Sequence, residues 1–441
     1  MLKHSLSRIA CALFGVAVYV APATHSVISG GIVLAQEEQA TERKLKRVPA
    51  LRGKVYEQLA RAQKAGDEGS IEEAIEILDK VKDKSGSMNS YEIAMMYNFY
   101  GFIYYNAEDF SQAFEAFKSV VAQDPIPESF EQATLFSLAQ LSLMQEKYND
   151  VITYLERWEA LNQGKIPAKN YVLKAQAMYQ SKDYQQAADY IELAIATQED
   201  NPDDGIADEN WYILQRAIYY ELKQPKKVTE VLVKLVRYYD KPKYWIQLGG
   251  MYGDIGQEKK QLAVMEAAYQ MGYVESGNDM FNLAQLYYYH QVPYKGARIM
   301  EEAMDNGKLE RNLKNLRFLS QCYAASRDND KAIPVMQAAA ELSEDGELNA
   351  QLAQLFLNSD NWDQAIDNAR IALDKGDIRS PGTAHLVIGM ALFNKQRFAE
   401  ALNALAEAEK FKGTSRMAKQ WMQYVSSEKN SFERIQAELS S

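Results

Sequence analysis

Few residues in this chain have the chemistry for catalysis, and those few are far apart. There are four histidines in all, and the two beyond the first thirty-five residues, His290 and His385, are separated by 95 positions. No His/Cys set has the close spacing that a zinc site needs. No glycine-rich phosphate loop or nucleophile elbow occurs. Adjacent carboxylates are common, as at Glu72-Glu73, Asp203-Asp204 and Glu301-Glu302, but on amphipathic helices such pairs mark solvated faces. These observations predict a protein that is not an enzyme and that needs no cofactor or metal.

A different set of side chains recurs in register. Gln63, Gln140, Gln176, Gln285, Gln321 and Gln354 each stand eleven residues before a small or apolar residue that opens a helix. A glutamine amide offers one acceptor and two donors, so a row of them can hold the backbone of an extended peptide without reading its side chains. Tyr105, Tyr179, Tyr220, Tyr288 and Phe393 recur three positions after this register and supply broad, stiff contact area. Together they predict a face that grips a flexible segment of a partner protein. Gln is also an ordinary helix former, so the row alone does not separate binding from solvation.

The elements that must position these residues are helices in repeating pairs. Trp245-x2-Leu248-Gly249-x2-Tyr252 is followed by Gly256, Met265 and Ala268. Tyr97-x2-Tyr100-Gly101-x2-Tyr104 is followed by Ala113-x3-Phe117-x2-Val120 and Pro125. Both stretches resemble the tetratricopeptide repeat. The residue that opens the second helix recurs at Ala74, Ala113, Val151, Ala187, Val228, Gln261, Gly296, Ala332, Ala365 and Ala401, at intervals of 33 to 41 residues. Four residues after each stands a packing residue: Leu78, Phe117, Leu155, Ile191, Leu232, Met265, Met300, Met336, Ala369 and Leu405.

Two helices of this kind cannot bury their apolar stripes alone, so neighbours must stack on them. The expected fold is therefore all-α: a right-handed superhelical solenoid of about ten helix-turn-helix repeats over 55–411, closed by a capping helix within 412–441. Met417, Trp421, Tyr424, Val425 and Phe432 should form the apolar side of that cap. Gly101, Gly249 and Gly389 mark the closest helix approach. Asp109, Asp183, Asp328-Asn329-Asp330 and Asn358-Ser359-Asp360 stand where they could cap second helices. The stretch from Asp200 to Gly205 reads as a longer inter-repeat loop.

Residues 1–35 read as a signal peptide. Lys3 and Arg8 precede the uncharged apolar run 9–20, which is too short to span a bilayer of about 30 Å. Cleavage fits after Ala23 or after Ala35, and the polar start at Gln36 favours the second. Residues 36–54 form a polar, basic leader holding Arg43, Lys44, Lys46, Arg47, Arg52 and Lys54, able at most to touch a membrane surface or an acidic partner. Export would leave Cys322 as the sole cysteine, which predicts a core thiol and no internal disulfide. The formal net charge of −11 excludes a nucleic-acid role, since phosphate binding needs a basic face.

Two stretches carry a narrower resemblance. Lys46-Arg47-Val48-Pro49-Ala50-Leu51-Arg52 with Tyr56-Glu57-Gln58-Leu59-Ala60 is the first. The second is Asn89-Ser90-Tyr91-Glu92-Ile93-Ala94-Met95-Met96, which leads into Asn98-Phe99-Tyr100-Gly101-Phe102-Ile103-Tyr104-Tyr105. Both resemble periplasmic tetratricopeptide proteins of gamma-proteobacteria encoded beside TonB, ExbB and ExbD. The resemblance implies a periplasmic accessory of TonB-dependent iron uptake, with TonB, ExbB, ExbD or a TonB-dependent receptor as partners. A scaffold for envelope assembly or secretion is the alternative reading.

Overall fold

The computed structural model describes residues 47–200, 203 and 205–439, and the compact body runs from Pro49 onward. The expected signal peptide and most of the leader lie outside the described residues. Every regular element described is helical, and no strand occurs among the described residues.

The helices come in consecutive pairs. The first four pairs are α1 (Gly53–Asp67) with α2 (Ile71–Lys82), α3 (Ser90–Asn106) with α4 (Phe110–Val121), α5 (Glu128–Met144) with α6 (Tyr148–Leu161), and α7 (Ala168–Gln180) with α8 (Tyr184–Glu199). Next come α9 (Glu209–Glu221) with α10 (Pro225–Tyr239), α11 (Pro242–Asp254) with α12 (Glu258–Gln270), and α13 (Gly277–Tyr289) with α14 (Pro293–Asp305). The last pairs are α15 (Leu313–Ala325) with α16 (Asn329–Glu341), α17 (Glu347–Asn358) with α18 (Trp362–Lys375), and α19 (Pro381–Asn394) with α20 (Phe398–Glu409). A single longer helix, α21 (Ser415–Leu439), follows. Each helix packs on the one before it and the one after it, as stacking requires.

A short turn reverses the chain inside every pair, and one backbone device makes it. The residue seven positions after the close-approach site has a positive φ in each: Gly69, Glu108, Glu146, Lys182, Lys223, Gly256, Gln291, Arg327, Asp360 and Gln396. A left-handed residue ends the first helix and lets its last carbonyls find donors. Asp109, Asp183 and Asp328 then cap the second helices by accepting from the backbone N–H groups of Gln112, Gln186 and Lys331. The Asn358-Ser359-Asp360 cluster does not cap its helix. Asp360 is spent on the left-handed turn, and Asn361, at the cap position of α18, makes no side-chain cap.

The repeating small and apolar residues form the core. All ten packing residues expected from sequence are buried, Leu78, Leu155, Ile191, Met300, Ala369 and Leu405 completely. Burying a Leu of this kind is worth about 2–3 kcal/mol. A Cβ on Gly101 would meet the Phe117 ring at 2.5 Å. On Gly249 it would meet Met265 Sδ at 2.5 Å, and on Gly389 Leu405 Cγ at 2.6 Å. The helix axes can therefore approach only because these side chains are missing. Gln261, the one polar residue among the ten that open second helices, is accommodated by a second glycine: a Cβ on Gly253 would fall 2.7 Å from its amide nitrogen.

Polar ties link one pair to the next. The Tyr219 hydroxyl donates to Glu192, whose carboxylate also accepts from Lys227 at 3.1 Å, while Lys227 lies over the Tyr219 ring. Tyr287, Glu266 and Lys295 repeat the arrangement, with the Lys295–Glu266 pair at 2.5 Å. In both cases tyrosine and lysine stand eight residues apart across the turn.

The last helix covers the end of the array. Ala418 and Val425 are fully buried there, with Trp421 and Met422 packed beside them and Phe432 against Phe398. Met417 and Tyr424, expected on this apolar side, are instead 52% and 50% exposed, because α21 turns its Ala418–Met422–Val425 line inward. No helix among the described residues is long and apolar enough to cross a membrane.

Candidate protein-binding face

The six glutamines lie on α1, α5, α7, α13, α15 and α17, the first helix of six different pairs. They share a register because each follows a buried small residue: Ala62, Ala139, Ala175, Ala284, Ser320 or Ala353. The small residue packs against the second helix, so the next position turns away from it. Gln63, Gln285, Gln321 and Gln354 are exposed, and Gln140 and Gln176 are half-buried. No side-chain hydrogen bond engages any of the six among the described residues. Their donors and acceptors are left to solvent or to a ligand.

The aromatic residues of the same face divide into three kinds. Tyr220 is 71% exposed, and Tyr288 is exposed with its ring edge on Phe318 at 5.7 Å. Tyr105 and Tyr179 are half-buried, each ring against the first residue of the next helix, Phe110 at 5.5 Å and Tyr184 at 5.7 Å. Phe393 packs on Trp421 and Tyr424 of α21, at 5.9 and 5.3 Å, so its ring is shared with the last helix.

Sequence reasoning passed over two composite spots on these first helices. Lys169 of α7 places its ammonium 4.9 Å from the ring centre of Phe136 on α5, and Lys314 of α15 lies 4.7 Å from that of Phe281 on α13. In both the lysine follows the phenylalanine by 33 residues, a spacing the sequence displays but gives no reason to single out.

Little else in the structure suggests chemistry. Cys322 is completely buried, and burial pushes its thiol up to about 12, so it is un-ionised at neutral pH. His385 stacks on Phe411 and is pushed down by burial. No cluster of three metal-ligating side chains occurs among the described residues.

Residues 351–415, running from α17 to the start of α21, match the tetratricopeptide repeat family model. The pair that this segment repeats is the unit of the whole array, and the fold is that of a tetratricopeptide repeat solenoid. Arrays of this class act as protein-interaction scaffolds.

Among solved structures the chain is similar to YrrB, described as a tetratricopeptide protein with an unusual peptide-binding site. That match has a TM-score of 0.36 and 17% identity over 44% of this chain and 97% of that one. It is also similar to MamA, with a TM-score of 0.33 and 21% identity over 41% of this chain and 91% of that one. A third is a tetratricopeptide repeat protein from Parabacteroides merdae, with a TM-score of 0.30 and 11% identity over 58% and 98% of the two chains. No curated protein matches the sequence.

Proposed function

We propose that this protein is a periplasmic scaffold that holds an extended segment of a partner against its first-helix face, as an accessory of a TonB-dependent uptake system. One observation carries the binding role: six amides in one register, on six different helix pairs, all without an internal hydrogen-bond partner. Four of these amides are exposed and two half-buried, and none is a buried unpaired group, so water satisfies them in the free protein and a ligand backbone can take the place of that water. Tyr220 and Tyr288 add apolar contact beside the row. The TonB assignment is supported by the likeness of the stretches around Arg52 and Glu92 to the periplasmic proteins encoded with TonB, ExbB and ExbD.

The test is capture from iron-starved cells after brief crosslinking. TonB, ExbB, ExbD or a TonB-dependent receptor should be recovered with the protein. A variant with Gln140, Gln176, Gln285 and Gln321 all replaced by Ala should recover markedly less. Recovery of envelope-assembly or secretion proteins without any TonB component would discard the uptake role. Undiminished recovery by the variant, with its helical content unchanged, would discard the glutamine row.

A further inference from the structure

The two lysine-over-phenylalanine spots on first helices are built alike; a third such contact, Lys147 over Phe114 at 4.3 Å, lies at second helices. Phe136 and Phe281 stand three residues before the buried Ala139 and Ala284. Lys169 and Lys314 stand six before the buried Ala175 and Ser320. Each spot therefore joins one first helix to the first helix of the next pair. Gln140 and Gln285 lie one helical turn beyond the phenylalanines, and Gln176 and Gln321 two turns beyond the lysines, so the open amides flank both spots.

Among the first-helix lysines that lie over a ring, these two make no ion pair among the described residues, whereas Lys174 has Glu159 at 2.8 Å. Lys147 over Phe114 and Lys331 over Tyr323 make none either, but they stand at second helices. Acids outnumber bases here, 60 to 49, and several lysines between repeats have a carboxylate: Lys227 has Glu192, Lys234 has Glu199 and Lys295 has Glu266. Lys243 occupies the same repeat position as Lys169 and Lys314, follows Ile213 instead of a phenylalanine, and has Glu209 at 3.8 Å. Lys169 and Lys314 are exposed and make no ion pair among the described residues. The face of an aromatic ring attracts an ammonium and narrows its rotamers but does not cancel its charge. On α15, Arg317 adds a second cation one turn on, with Asp345 only at 3.8 Å.

We propose that Phe136–Lys169 and Phe281–Lys314 are two equivalent subsites for acidic side chains, so that the extended partner is an acidic peptide segment. This rests on the groove reading above and adds to it the chemistry of the partner. The lysine supplies an ordered positive charge, the ring holds it in place, and the neighbouring glutamine amides take the peptide backbone. The two subsites stand four repeats apart, so short acidic peptides fill them independently.

Calorimetric titration of the full chain with capped hexaglutamate at low ionic strength tests this. The wild type should bind two peptides per chain, K169Q and K314Q one each, and the double variant none. K182Q, altered at an exposed turn, should still bind two. Capped hexaglutamine should bind at least about tenfold more weakly, since it lacks the charge contact. Hexaglutamate binding that is absent, or that survives in the double variant, overturns the proposal. Equal binding of hexaglutamine overturns the acidic preference and leaves the groove reading intact, which capture of the partner decides separately.

Discussion

Arg52 grips both carboxylate oxygens of Glu92, at 2.6 Å each, across forty residues of chain. The Arg52 backbone N–H also donates to Glu92 at 3.0 Å, the Arg52 guanidinium reaches the Ser87 carbonyl, and the Asn89 amide donates to the Ala50 carbonyl. Glu92 is fully buried and completes a capping box with Asn89 at the start of α3. The two stretches singled out by resemblance in the sequence are thus one clasp, joining the entry to the first repeat to the entry to the second.

The clasp should make the first repeat sensitive to acid. The hydrogen bonds from Arg52, with those from backbone N–H groups, outweigh burial and hold the Glu92 carboxyl at about 2, below its ordinary value of 4.5. A depressed carboxylate stabilises the fold above its unfolded value and loses that contribution as pH falls through the folded value. Glu92→Gln should therefore destabilise the first repeat at pH 7, and its deficit relative to wild type should shrink between pH 4.5 and about 2. With Arg52 half-exposed, about 2 kcal/mol is expected at neutrality, or about thirtyfold faster amide exchange in α1 and α2. Equal exchange in variant and wild type at pH 7 would contradict this.

Gly101→Ala should cost about 1–3 kcal/mol, because the new methyl meets the Phe117 ring at 2.5 Å and both helices are held by their neighbours. Thermal unfolding followed by circular dichroism measures it. The double variant Gly101→Ala with Phe117→Leu should lose less than the sum of the two single losses, because the smaller leucine leaves room for the new methyl.

The non-glycine residues in the turns carry strain that glycine would relieve. Lys223 has φ +55° in the turn between α9 and α10, where Gly256 stands at the same register of the next pair. Lys223→Gly should be neutral or stabilising by up to about 1 kcal/mol, and Lys223→Val destabilising by at least as much. Denaturation midpoints of the two variants should move in opposite directions or by clearly different amounts.

Cys322 should not react with an aromatic disulfide reagent in the native protein. Complete burial and a thiol pushed up to about 12 leave neither access nor thiolate. Labelling should follow opening of the seventh and eighth pairs and accelerate with added denaturant. Immediate stoichiometric labelling in buffer would show the site to be open.

Much of this was legible in the sequence because a repeat states its rules many times. Small residues at Gly101, Gly249 and Gly389, and packing residues such as Leu78 and Leu155, recur at one spacing, and a solenoid needs little beyond contact between neighbouring units. The helices and their pairing follow from that local pattern, as do the register of the glutamine row and the burial of Cys322. Interactions between repeats depend on which side chains meet after stacking, and no local pattern gives that. The Arg52–Glu92 clasp, the Tyr219–Glu192–Lys227 tie and the placing of Lys169 over Phe136 were all decided there. Helix propensity and apolar periodicity act over a few residues along the chain, whereas these contacts join positions some 20 to 40 residues apart that only the packed array brings together.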